Sequence, residues 1–256
     1  MRRLVEVTSR VLVGTSDFCT TTTTVIAADD GTCLVVDPAA QPAEIGELAA
    51  DLGELGLQVS AGFATHPHWD HVLWSAELGD VPRYATATTV DVIDAQRDEA
   101  LRLAEESAPG HDHTLFGRLT PLPTNTSTIP WPGPTVRVIE HHAHAPGHAA
   151  LHIPGEGVLL TGDMCSDIEI PLLDLRQPDP VGDYRHALDV FSAVHGVHRV
   201  VPGHGSVGDG IELHRRIEAD RRYLDELETG RGDDDPRLTE DWLRQSHRSH
   251  LAHMAA

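Results

Sequence analysis

Within the seven residues Thr65-His66-Pro67-His68-Trp69-Asp70-His71 stand three imidazoles and a carboxylate, side chains whose lone pairs commonly hold divalent metal ions. The spacing His-x-His-x-Asp-His follows an apolar, strand-like run from Val59 to Ala64, so the donors share one loop at a strand end and can converge. A chain with 18 histidines will cluster some of them by chance. Three further donors argue against chance, because each follows a glycine turn: His148 in Pro146-Gly147-His148, Asp163 in Thr161-Gly162-Asp163 and His204 in Pro202-Gly203-His204. Two of these turns end strand-like runs.

This ordered set resembles the metallo-β-lactamase superfamily of metal-dependent hydrolases, over about residues 1 to 228. An early strand ending in Val35-Val36-Asp37 belongs to the same likeness. The resemblance implies an α/β fold, a four-layer αβ/βα sandwich with its ligands on loops at one edge. It also implies a dinuclear site, with His66, His68 and His148 on one metal, Asp70, His71 and His204 on the other, and Asp163 as the bridge. Asp37 would support the ligands from behind.

Imidazole and carboxylate donors suit two Zn²⁺ ions, and the same set admits Fe or Mn. Two such ions about 3.5–4 Å apart lower the pKa of a shared water towards about 7 and present it as hydroxide. One of them would also carry the oxyanion that develops on a carbonyl substrate. Asp70 is the first choice for taking the proton of the attacking water. The expected reaction is hydrolysis of a carboxylic ester, thioester or lactone in a small-molecule substrate. A metal-binding sensor without turnover is the alternative, but structural zinc sites are closed whereas this donor set leaves a position for water on each ion. A β-lactamase is less favoured, since members that split β-lactams generally lack the bridging aspartate that stands here as Asp163. Diiron oxidoreductase relatives carry Glu where this chain has His68.

Composition narrows the partners. A formal charge of −21 argues against nucleic acid, whose phosphates are neutralised by Lys and Arg. All 19 basic residues are Arg. Three cysteines without close pairing, Cys19, Cys33 and Cys165, suit a reducing cytoplasm. No stretch approaches the roughly 18 apolar residues of a membrane span, and the first residues lack a signal-peptide core. The expectation is therefore a cytoplasmic protein that binds neither membrane nor nucleic acid.

The elements that position the donors follow from pattern. Strands are expected at Thr22 to Ala27 and Thr32 to Asp37, then a helix between Pro42 and Gly56 carried by Ile45, Leu48, Leu52 and Leu55. A short helix from His71 to Leu78 and a longer one over Thr88 to Ser107 come next. Strands return at Thr135 to Glu140, Ala149 to Ile153, Val158 to Thr161 and His198 to Val201, with helices at Asp183 to Val194 and Ile211 to Glu228. Residues 1–228 read as the hydrolase domain, and 229–256 as an acidic linker with a terminal helix.

Four more groups invite a functional reading. His247, His250 and His253 share one face of the terminal helix, and without a carboxylate or cysteine among them they read as solvated. His144 could support the metal of His148 from the outer shell. Trp69 is expected to wall the substrate pocket and Cys165 to be a small buried residue. The stretch Pro109 to Pro134, with six prolines, is expected to be a lid over the metal edge that sets substrate choice.

Overall fold

Alternation of side chains along the strands dictates the layering. In the strand Thr32–Val36, Cys33 and Val35 point to one apolar cluster while Leu34 and Val36 point to another, so this strand is covered on both faces. The computed structural model describes residues 3–255 and builds two sheets on this plan.

The first sheet has seven strands in sequential order: β1 (Val5–Glu6), β2 (Val11–Thr15), β3 (Thr22–Ala27), β4 (Thr32–Val36), β5 (Gln58–Phe63), β6 (Arg83–Ala85) and β7 (Thr120–Pro121). Pairing is antiparallel from β1 to β4 and parallel from β4 to β7. Helices α1 (Pro42–Glu54) and α2 (Ala87–Ser107) cover its outer face, where Ile45, Leu48, Leu52, Val90 and Ile93 meet Val25, Cys33 and Val35. The expected apolar face of α1 holds for Ile45, Leu48 and Leu52, but Leu55 caps the helix and is exposed.

The second sheet runs β12-β11-β10-β9-β8, built from β8 (Arg137–Glu140), β9 (Ala149–Ile153), β10 (Val158–Gly162), β11 (Arg199–Pro202) and β12 (Gly208–Asp209). Only β10 and β11 pair in parallel. Its outer face is covered by α3 (Pro180–Ser192), α4 (Gly210–Glu228) and α5 (Asp241–Met254), through Tyr184, Leu188, Phe191, Leu213, Ile217 and Leu243. Between the sheets, Val11, Ile26, Leu34 and Phe63 meet Leu151, Ile153, Leu160 and Val201. The result is an αβ/βα sandwich, the expected fold class.

Two expected elements differ. The segment after His71 makes a turn and then only a short 3-10 helix, Ala76–Leu78, with Val72, Leu73 and Trp74 all drawn inward where an amphipathic surface helix would bury one face. Residues before α5 also carry more structure than their acidity suggests. Arg237 is buried and donates to Asp220 on α4 at 2.5 Å and to Asp235 at 3.0 Å, and Leu238 joins the apolar cluster of α3 and α4. Among the described residues no helix is long and apolar enough to cross a membrane.

Candidate metal centre

Parallel strand pairs leave their carboxyl ends side by side, and the chain places its donors just past those ends. Asp37 follows β4 and the His66–His71 loop follows β5, while Asp163 follows β10 and His204 follows β11. The two sheets are joined at this edge. Thr65 accepts from the Ala149 amide through its carbonyl at 2.9 Å, and Thr21 forms an isolated bridge with His204. Backbone strain gathers here as well: Cys19, Thr20, Asp37, His144 and Cys165 all adopt positive φ on the loops that build the site.

The donors fall into two groups whose ligand atoms lie within 4.8 Å of one another: His66, His68, His144 and Asp163 in the first, and Asp70, His71 and His204 in the second. Asp163 reaches both. Its Oδ2 lies 3.4 Å from Nε2 of His66, of His144 and of His204, and its Oδ1 lies 3.3 Å from Nε2 of His71. Asp70 Oδ2 stands 3.3 Å from His204 Nε2 and 3.5 Å from His71 Nε2. A side chain at residue 203 would collide with this arrangement, since a Cβ built on Gly203 meets Asp163 Oδ1 at 2.0 Å.

His148 is the exception among the expected ligands. It is fully buried, but its Nε2 accepts the Asp163 amide at 3.3 Å and lies 2.0 Å from where a Gly162 side chain would begin. That nitrogen faces the turn after β10, outside both groups, and its ring packs against His66, with centroids 4.7 Å apart. His144, four residues earlier and read from sequence only as an outer support, takes the inward place with φ of 67°. The Pro146-Gly147 turn between them is fixed by Thr86 and Thr89 of the α2 N-terminus, whose hydroxyls both donate to the Gly147 carbonyl. Two histidines flank one turn, and only the turn's conformation decides which of them points at Asp163.

The far nitrogens explain how the rings are held. His71 Nδ1 donates to Asp37 at 2.9 Å, His204 Nδ1 to the Cys19 carbonyl at 2.9 Å, and His144 Nδ1 to the Leu172 carbonyl at 3.0 Å. His66 Nδ1 lies 3.0 Å from Thr65 Oγ1, which itself donates to Asp37 at 2.6 Å and so accepts from the ring. Each of the four rings therefore ties its Nδ1 proton outward and turns Nε2 inward, the orientation that outer partners give to metal-bound histidines. Asp37 thus serves two rings, one directly and one through Thr65.

Inside the cluster acceptor atoms crowd together, most closely around His68. His68 Nδ1 is 3.0 Å from both His66 Nε2 and His144 Nε2, and the buried atoms His71 Nε2 and Asp163 Oδ1 have no hydrogen-bond partner. Converging lone pairs and orphaned polar atoms are costly unless a cation gathers them, so the donor set fits divalent metal. Burial pushes the His66 imidazole well below its ordinary pKa and His68 down to about 3, helped by neighbouring His71 and His144 respectively. Burial acts on His71 and His204 in the same direction, but the Asp163 and Asp70 carboxylates outweigh it and raise both well above the ordinary value. Asp70 and Asp163 are held low despite burial by His71 and His204.

A cleft of about 620 Å³ opens on the cluster through His68, Asp70, His144, Asp163 and His204. Phe18, Trp69, Leu172, Leu175 and Trp242 give it apolar walls, with Phe18 and Trp69 edge to face at 5.7 Å. Trp69 lies where the sequence placed it, and Cys165 is fully buried. The stretch from Pro109 to Pro134 contributes nothing to these walls. Phe116 is drawn into the α2 cluster, and Arg83 and Arg97 clamp the carbonyls of Leu115 and Phe116, so the segment packs behind the site instead of closing over it. Helix α5 takes that place, contributing Trp242, Gln245, Ser246, Ser249 and His250. Glu169, which sequence reading missed, also lines the cleft. Burial lifts its carboxyl to about 7, and His204 Nδ1 is 4.0 Å away.

An αβ/βα sandwich with a histidine and carboxylate cluster past its parallel strand ends defines a class of metal-dependent proteins. The sequence matches the metallo-beta-lactamase superfamily over residues 16–213, and the chain belongs to that superfamily. Solved structures agree on the fold. A beta-lactamase domain protein from Burkholderia ambifaria is 19% identical at a TM-score of 0.70, covering 98% of this chain and 87% of that one. A metallo-beta-lactamase family protein from Thermus thermophilus is 22% identical at 0.68, covering 95% and 90%. A metallo-beta-lactamase from Pontibacter korlensis is 16% identical at 0.58, covering 85% and 98%. No curated protein matches the sequence.

Proposed function

We propose that the protein is a dinuclear zinc-dependent hydrolase of a carboxylic ester, thioester or lactone. The observation that carries this reading is the set of four rings with their Nδ1 protons tied outward and their Nε2 atoms turned towards Asp163, beside an open cleft. In this assignment His66, His68 and His144 hold one ion, Asp70, His71 and His204 the other, and Asp163 serves both. Zinc bound there would supply a Lewis acid and an activated water at neutral pH. Asp70 lines the cleft as an ionised carboxylate and is the residue assigned to orient the attacking water and take its proton. The apolar walls would bind an acyl group and exclude water from around the reacting carbonyl. A sensor role is less favoured because a purely structural ion needs no cleft beside it.

Metal analysis beside a panel of thioesters, aryl esters, lactones and phosphodiesters tests the reading. Two ions per chain are expected, with turnover on one of the first three classes that a chelator abolishes reversibly. Asp163→Ala should lose both ions together. A single tightly held ion that survives this change, or activity on phosphodiesters alone, overturns it.

A further inference from the structure

Helix α5 lies beyond the residues that match the superfamily, yet it reaches the metal centre through one peptide plane. The carbonyl of Leu172 accepts the Nδ1 proton of His144 at 3.0 Å, and the N–H of Leu173, on the same peptide, donates to Nε2 of His250 at 3.3 Å. With Nε2 accepting, the neutral His250 ring carries its proton on Nδ1 and gives it to Tyr223 Oη at 2.9 Å. Tyr223 on α4 can then donate to His247 Nδ1 at 3.0 Å. Every member of this chain is buried or nearly so, and His250 is neutral because burial and His247 lower its pKa to about 4. The histidines read from sequence as a solvated face are therefore the end of a buried hydrogen-bond chain, and only His253 lies exposed.

We propose that His250 and Tyr223 are positioning residues for the metal centre, acting on His144 through the Leu172–Leu173 peptide. A peptide whose N–H is already engaged presents a more polarised carbonyl, and hydrogen bonds in series strengthen one another. The Leu172 oxygen thereby fixes both the tautomer of His144 and the direction of its inward lone pair, the task that outer partners perform for metal-bound histidines. A strained backbone at His144, with φ of 67°, makes this support necessary, because no regular element holds the ring. The same helix supplies Trp242, Gln245 and Ser246 to the cleft, so the C-terminal segment both shapes the substrate wall and braces one ligand.

This role presupposes the metal site proposed above, and cobalt binding by the whole chain separates the two. His250→Phe keeps an aromatic ring but removes the acceptor, while His250→Gln returns one. Relative to wild type, His250→Phe should weaken one of two cobalt ions by about threefold, less than the 10–100-fold of losing an outer partner itself because the Leu172 carbonyl stays in place, and shift its visible absorption band. His250→Gln should recover most of both. Tyr223→Phe, which deletes a single oxygen, should show a smaller loss in the same direction, and it decides the matter if His250→Phe does not fold. Wild-type affinity and an unshifted band in the folded variants overturn the positioning role alone. A wild-type protein that binds no cobalt overturns both readings.

Discussion

The two donor groups use the same residue types but are secured in different ways. In the first, His66 and His144 lean on neutral acceptors, the Thr65 hydroxyl and the Leu172 carbonyl. In the second, His71 leans on the Asp37 carboxylate and shares its space with Asp70 and Asp163. The electrostatic outcome differs accordingly. Burial strips His66 and His68 of their protons, whereas carboxylates make His71 and His204 hold theirs until a stronger cation displaces them. One edge of one fold can thus present a proton-poor pocket beside a proton-rich one, and the nearness of the Asp163 and Asp70 carboxylates sets which is which, since His204 is proton-rich although its outer partner is the neutral Cys19 carbonyl.

The largest test of this picture sets His144 against His148. His144→Ala removes an inward nitrogen of the first group and should cost metal affinity by more than the 10–100-fold typical of losing an outer partner. His148→Ala instead removes a buried ring that caps the Asp163 amide. It should lower stability by about 2–4 kcal/mol while the folded protein keeps both ions. Titration of both variants with metal, beside urea unfolding, reads the two effects separately. If His148→Ala loses an ion while His144→Ala keeps both, the first group is drawn wrongly.

That pair also marks where the sequence ran short. The layers were legible, and six of the seven expected donors come together in the structure, because the loop histidines, Asp163 and His204 follow strand ends and glycine turns in an order that resembles the superfamily's. His144 was not, since selecting it over His148 depends on a positive φ and on two threonine hydroxyls arriving from α2, a contact nearly sixty residues away. The fate of the proline-rich stretch was hidden for a similar reason. Proline predicts irregular backbone but does not say which face of the sandwich it will cover, and Phe116 decided that by burial. The burial of His247 and His250 depends on Tyr223 from another helix, a partner that helical spacing alone does not expose.

A smaller effect is expected from pH, and it sharpens the contrast between the groups. His71 and His204 have raised pKa values in the metal-free fold, so the stability they contribute is fully present below about 6.5 and is lost as pH rises through their folded values. Asp70 and Asp163 have depressed values, so theirs is present above about 3.9 and is lost as pH falls. The metal-free protein should therefore be most stable in mildly acid solution. Metal must displace protons from the second group, which makes its binding strengthen with pH. Comparing Tm of loaded and chelated protein at about pH 5 and about pH 8 should show the wider gap at the higher pH, with the second group releasing its ion first on acidification. A gap that is equal at both values, or wider in acid, contradicts the assignment of protons to the second group.

The smallest effect concerns the cleft rather than the donors. Trp242 stands in the first turn of α5, is 45% exposed and lines the same cleft as the Phe18–Trp69 pair. Being only half covered in the free protein, its indole has surface left to bury against a substrate, and about 40 Å² of apolar contact is worth about 1 kcal/mol. Trp242→Ala should then raise KM about fivefold for substrates with a bulky apolar acyl group, and leave both KM for a small acetyl ester and metal content unchanged. Removing residues 110–123 should behave in the opposite manner, since that segment buries Phe116 in the α2 cluster and meets the cleft wall only through His111 against Trp69: stability falls, and substrate preference in the surviving folded fraction stays as it was. Kinetics over a short series of acyl lengths distinguishes the two. If the loop deletion shifts preference and Trp242→Ala does not, the cleft is walled by the proline-rich segment after all, and α5 serves only the ligand it braces.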